Sequence, residues 1–182
     1  MQLKKQIRYN HLNLRNNFPN DYINNISKII SYKLFDLPVY KQCESIFIYL
    51  SIEKEIDTSY ILKKAQDDNK HIYCPVITKN KREIIFKKYN KKNLIKNKFN
   101  ILEPLYEEEK ISDKKTLIIV PALAYNKNKY RIGYGGGYYD YFLKNNVYLA
   151  SVGLCFQQFI IDFKEDFYDE NVNIIITEKN IY

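Results

Sequence analysis

The chain has 182 residues, 46% of them hydrophobic, which suits one domain with a sizeable core and is cramped for two. No apolar run approaches the ~20 residues of a bilayer span, and the opening MQLKKQIRYN lacks an apolar signal core, so a soluble cytoplasmic chain with no membrane partner is expected. The net charge of +8 would suit a nucleic acid, but Ile, Asn, Lys and Tyr fill roughly half of the chain beside only four arginines, a bias of A/T-rich codons that inflates lysine everywhere, and no nucleic-acid partner is expected.

Leu3, Ile7, His11 and Leu14 recur at helical spacing and predict an amphipathic helix over 3–17, with Lys4, Lys5, Arg8 and Arg15 elsewhere around the wheel and Pro19 at its end. Asn20 or Asp21 can cap a second helix that buries Ile23, Ile26, Ile29 or Ile30, and Leu34, ending near Pro38. SIFIYL (45–50) reads as a buried strand, SYILKKAQDDN as a helix capped by Asp57 and Thr58, and HIYCPVI (71–77) as the next strand. Together these make a βαβ unit with a parallel sheet and a right-handed crossover. EIIFKKY (83–89) suits a hairpin or edge strand. Residues 79–98, with nine Lys/Arg, suit a solvated loop and edge, and EEEK (107–110) a charged turn.

TLIIVPAL (116–123) is the strongest buried strand, followed by a loop over 122–137 and a helix from about 138. YLASVGLCF (148–156) and NVNIIITE (171–178) are two further strands. The alternation predicts a three-layer α/β/α domain over 1–182: a mostly parallel central sheet with helices on both faces. Cys43, Cys74 and Cys155 are far apart and odd in number, so buried reduced thiols are expected. His11 and His71 are isolated and suit neither a histidine metal site nor a serine triad.

Four of the five glycines fall in RIGYGGGYYDYFL (131–143), between a strand and a helix. Ligands of open α/β sheets sit there, facing the free N–H groups of helix N-termini. Gly133, Gly135, Gly136 and Gly137 let backbone amides turn toward an anion and let phosphate oxygens approach without a Cβ in the way. Arg131 adds a fixed cationic fork at the rim, and Asp140 is placed for Mg²⁺ on phosphates. G-x-x-x-x-G-K-[ST] is absent, and Tyr138 breaks G-x-G-x-x-G, so neither a Walker loop nor a Rossmann site is supported. A mere surface turn needs one or two glycines, not four.

RIGYGGGYYD (131–140) resembles the R-(L/I)-G-x-G-x-G-Y-Y-D signature of the 5-formyltetrahydrofolate cyclo-ligase family. KKQIR (4–8) with Arg15, YLSIEKEIDT (49–58), ILEP (101–104), PALAY (121–125), GLCFQQ (153–158) and DENVNII (169–175) match further family segments in order along the whole chain. Asn126, Tyr141 and Tyr168 stand where the family usually has Asp, Arg and His. The resemblance implies a fold like those of sugar-phosphate isomerases and CoA-transferases, though fold alone does not fix function. An isomerase-like or transferase-like protein would not need Lys4, Arg8 and Asp140 around one triphosphate. An RNA-binding protein would bind RNA with steep salt dependence and leave the glycines without a role.

The implied reaction joins the N5-formyl group of 5-formyltetrahydrofolate to N10, giving 5,10-methenyltetrahydrofolate at the expense of ATP. The amide-like formyl oxygen is a poor leaving group until a γ-phosphoryl group is placed on it. By resemblance, Arg131, Gly135, Gly136 and Gly137 are catalytic. Lys4, Lys5, Arg8, Arg131, Ile132, Gly133, Tyr134, Gly135, Gly136, Gly137, Tyr138 and Tyr139 bind ATP. Leu50, Glu55, Tyr134, Gly135, Gly136, Gly137 and Tyr138 bind the folate, and Asp140 and Asp169 hold Mg²⁺. Plainer roles stay open at this point: Lys4 and Arg8 as a solvated helix face, Glu55 as the lead-in to a capped helix, Asp140 as a dipole partner, Tyr138 and Tyr139 as packing residues. The substrates are small molecules, a monomer is expected, and lysines of 79–98 at the cleft mouth would attract a polyglutamate tail.

Overall fold

The computed structural model describes residues 2–78, 83–97, 100–105 and 107–182. Among these the chain runs α1 (Gln2–Asn16), α2 (Asn20–Asp36), α3 (Pro38–Gln42), β1 (Ser45–Ile48), α4 (Ser59–Asp67), β2 (His71–Ile77), β3 (Ile84–Lys88), β4 (Leu94–Lys96), β5 (Leu102–Pro104), β6 (Thr116–Val120), β7 (Ala124–Tyr125), β8 (Arg131–Ile132), α5 (Tyr138–Asn145), β9 (Ala150–Leu154) and β10 (Ile174–Ile176). The central sheet has the order β10-β9-β6-β1-β2-β3 and is parallel except for β3, which returns antiparallel on β2. Every residue of β1, β6 and β9 is buried. Since side chains alternate across a strand, both faces of the sheet are covered, as the α/β expectation required. On one face Phe142 of α5 packs on Phe86, which stacks on Phe47 at 4.4 Å. α2 contacts α4 and β10, and α4 contacts β2. Ile30 and Leu34 are fully buried, worth about 1.5–3 kcal/mol each.

Several local readings need correction. Pro19, not Asn20 or Asp21, holds the N-cap position of α2, without a side-chain cap bond. Asn20 instead accepts from Lys54 Nζ. The helix ends at Asp36, near Pro38 as expected, and of the two alternatives Ile29 and Ile30 it is Ile30 that is buried; Pro38 then opens α3 at a first-turn position where its missing N–H is harmless. Asp57 caps α4 by accepting from Ser59 N–H (2.8 Å), while Thr58 turns inward to Tyr49 O. Residues 107–110 are an added edge rather than a turn: Lys88 N–H donates to Glu108 O and Lys110 N–H to Phe86 O. The basic run supplies β3 and β4, and its residues 79–82 and 98 lie outside the described residues. The three cysteines are buried and free. No described helix is long and apolar enough to cross a membrane.

The largest surprise is α1. Of the predicted inner face, His11 is buried and Ile7 packs partly buried on the core, but Leu3 and Leu14 are exposed, and Lys4 and Arg15, predicted elsewhere around the wheel, are buried. The helix lays its cationic stripe inward. Packing of α1 is decided by what lies beneath it, and a helix this poor in apolar residues has no strong preference of its own.

Gly153, the one glycine outside the cluster, sits in β9 under the buried ring of Tyr125, whose hydroxyl donates to Val120 O (3.2 Å). A Cβ there would overlap that ring. Gly153→Ala is expected to cost about 1–3 kcal/mol by overpacking and to lower the thermal midpoint by several degrees, measured by circular dichroism.

Candidate active site

The loop after β6 is more ordered than expected. β7 and β8 form a small hairpin, turned at Asn126–Lys129 with Lys129 in the left-handed region. Asn126 builds that turn: its Oδ1 accepts from Tyr130 N–H (3.0 Å) and its Nδ2 donates to Phe163 O (3.1 Å). The hairpin delivers Gly133–Gly137 to the N-terminus of α5. Gly135 (φ 101°) and Gly137 (φ 70°) take left-handed conformations that L side chains rarely adopt. Gly137 occupies the N-cap position with no side chain to cap the first N–H groups of α5. The Tyr138 ring fills the space a Cβ of Gly136 would need.

The inward stripe of α1 runs along this loop. Arg8 donates from Nε to Gly133 O (2.8 Å), and its guanidinium packs on Gly135. One turn earlier, Lys4 bonds Asp166 (2.8 Å) and Asp169 on the 164–170 segment. Burial disfavours its charge, but the two carboxylates outweigh this and hold the Lys4 ammonium above its usual range; Asp166 is lowered in return, chiefly by the Lys4 hydrogen bond. Two turns later, Arg15 Nη1 donates to the Tyr134 hydroxyl (2.9 Å), which donates to Glu55. Glu55 is 7% exposed and lies 3.8 Å from Arg15 Nη1, and its other oxygen accepts from Ile52 N–H (2.9 Å). Burial pushes the Glu55 carboxyl up against the opposing pull of Tyr134, Ile52 N–H and Arg15. Burial and the Glu55 charge likewise raise the Tyr134 phenol.

Arg131 is not at the rim. It is 6% exposed, donating to Asp140 (2.8 Å) and to Glu170 O (2.9 Å), while Asp140 also accepts from Glu170 N–H (3.1 Å). The pair ties β8, α5 and the 164–170 segment together. The reason is its position in β8, whose two residues are both buried. Ile132 is buried, Lys5 is exposed, and Leu50 is half-buried against the core. Tyr139 packs edge-on to Phe86 (6.4 Å) with a buried, unpaired hydroxyl. Sequence reading gave no role to Arg15 or Asp166. The signal for Arg15 was present: Lys4, Arg8, His11 and Arg15 are spaced four, three and four, one continuous helical stripe.

A profile of the 5-formyltetrahydrofolate cyclo-ligase family matches residues 1–178. The chain belongs to that family. It is 28% identical over 162 residues to the 5-formyltetrahydrofolate cyclo-ligase of Haemophilus influenzae, covering 86% of this chain and 87% of the relative. It is 26% identical over 170 residues to the probable cyclo-ligase of Schizosaccharomyces pombe, covering 84% and 83%. Its fold matches the 5,10-methenyltetrahydrofolate synthetase of Aquifex aeolicus with a TM-score of 0.85 at 27% identity, covering 98% of this chain and 91% of that one.

A magnesium cage built by protein alone is not present: among the described residues no three His, Cys, Asp or Glu side chains gather around one point. Both metal candidates already hold a cation, Asp140 through Oδ1 to Arg131 and Asp169 through Oδ2 to Lys4. Each leaves its second oxygen outside those bonds. Such a donor set fits a Mg²⁺ carried by nucleotide phosphates and anchored by one carboxylate, the usual state of that ion.

Proposed function

We propose that residues 1–182 act as one catalytic domain that closes 5-formyltetrahydrofolate to 5,10-methenyltetrahydrofolate with ATP as co-substrate. One observation carries this reading: a single face of α1 brings Arg8 to a left-handed glycine loop that opens the N-terminus of α5, while Lys4 of the same face meets Asp166 and Asp169 and Arg15 reaches Tyr134 and Glu55. The loop amides of Gly133, Gly135, Gly136 and Gly137 bind phosphate oxygens and stabilise charge on the transferring group. Lys4 and Arg8 exchange their internal partners, Asp166, Asp169 and Gly133 O, for the triphosphate. Asp140 or Asp169 would hold Mg²⁺ through a carboxylate oxygen, and the ion would supply charge that offsets the phosphates. Glu55 accepts from pterin N–H groups, Leu50 packs on the ring, and Tyr134 and Tyr138 line its path. Arg131 acts from behind, fixing the loop and Asp140. The γ-phosphoryl group moves to the formyl oxygen, N10 attacks the activated carbon, and phosphate leaves. Three free buried thiols suit a cytoplasmic setting.

The test is direct. Protein, Mg-ATP and 5-formyltetrahydrofolate are mixed and methenyltetrahydrofolate absorbance is followed. Growth of that band that requires ATP supports the reading, and its absence with folded protein removes it. Lys88, Lys91, Lys92 and Lys96 of the basic run are exposed. If they draw a polyglutamate tail, KM for a polyglutamyl substrate lies below that for the monoglutamate at low salt, and the two converge as salt screens the attraction. Equal values at low salt remove the basic run from substrate capture.

A further inference from the structure

We propose that Arg15 and Glu55 together read the lactam edge of the pterin ring: Arg15 Nε–H donates to the 4-oxo group while the Glu55 carboxylate accepts from the neighbouring ring N–H. This rests on the folate reading above and adds a specificity residue to it. Arg15 is 3% exposed, and its Nε is buried with no hydrogen-bond partner. An orphaned donor of this kind costs about 1–3 kcal/mol, so a ligand acceptor there would recover energy that the free molecule forgoes. Arg15 and Glu55 line one small cavity of about 10 Å³, walled by Tyr49, Cys155, Phe156 and Phe159. Tyr49 and Cys155 immediately follow β1 and β9, so the cavity lies beyond the carboxyl ends of parallel strands. Apolar walls with two convergent polar groups suit a flat heteroaromatic ring. A pterin edge presents an acceptor, the 4-oxo oxygen, beside donors at N3 and the 2-amino group. A guanidinium N–H beside a carboxylate is its complement.

As it stands the cavity has room for about one water. Tyr134 occupies the same two polar groups, its hydroxyl lodged between Arg15 and Glu55 while the residue as a whole is 47% exposed on the glycine loop. Entry of the ring displaces that hydroxyl, and Glu55 and Arg15 exchange one internal partner for the substrate.

Wild-type protein is titrated calorimetrically with 5-formyltetrahydrofolate and with its 4-amino-4-deoxy analogue, at mildly alkaline pH where the diaminopteridine ring is neutral. The 4-oxo ligand is expected to bind about tenfold or more tightly, because the analogue offers Arg15 a donor in place of the 4-oxo acceptor and offers Glu55 a bare N3 in place of the N3–H donor. Arg15→Met, checked for a cooperative melt, is expected to shrink that preference about fivefold, leaving the share that Glu55 and N3 supply, a change that loss of a merely structural arginine does not produce. Equal wild-type affinities overturn the assignment whether or not the variant folds, and so does a preference that is undiminished in folded Arg15→Met. Binding of neither ligand by wild type overturns the folate reading itself.

Discussion

Arg131→Ala is expected to lower stability by about 3–4 kcal/mol and to abolish most turnover, but through the frame of the site rather than through loss of a phosphate contact. The guanidinium is buried between Asp140 and Glu170 O. Removing it strands the Asp140 carboxylate with Glu170 N–H as its remaining partner and unties the 164–170 segment from β8. Asp140 keeps 23% side-chain exposure, so water recovers part of the loss, and the lower part of the range for a broken buried pair applies. For a chain of this length the thermal midpoint falls by about 6–15 °C. A double-mutant cycle with Asp140→Asn separates the pair from its surroundings. If the two groups act together, the double variant loses much less than the sum of the singles. Additive losses would show that Arg131 and Asp140 act apart, and unchanged turnover in folded Arg131→Ala would remove Arg131 from the machinery altogether.

The place of Arg131 shows what the letters of the chain carry and what they withhold. Four glycines within five residues mark an unusual backbone, and positive φ at Gly135 and Gly137 is what only that composition tolerates well. The long apolar runs at 45–50 and 116–123 mark parallel strands buried on both faces, because nothing else in a chain this polar accounts for them. β7 and β8 have two residues each, too few to show any period, so the hairpin that turns Arg131 inward was invisible. α1 fails for a different reason. Periodicity assumes that apolar residues are the buried ones, yet Lys4, His11 and Arg15 are buried because Asp166, Asp169, Tyr134, Glu55 and the helix's own Ile7 O receive them. Partners distant in sequence decide which face of a polar helix goes in, and spacing alone names the stripe without saying which way it points.

Lys4→Met tests the other end of that stripe. The substitution keeps the buried stem and removes the charge, so packing changes little while the phosphate contact proposed for Lys4 can no longer form. We expect kcat/KM for ATP to fall about 10²-fold, the scale of losing one preorganised charged donor, with KM for the folate nearly unchanged. The stability profile gives an independent check. In the wild type the raised Lys4 contributes stability that is fully present below its unfolded pKa of 10.5 and is lost as pH rises through the folded value. Asp166, lowered by Lys4, contributes stability present above its unfolded pKa of 3.8 and lost as pH falls through the folded value. Lys4→Met should therefore melt lower than wild type at neutral pH and approach it at both extremes. A variant that melts in parallel with wild type across pH would show that the ion pairs with Asp166 and Asp169 are not formed in solution. Undiminished kcat/KM for ATP would separate Lys4 from the triphosphate and leave Arg8 as the cation from α1 that faces the loop.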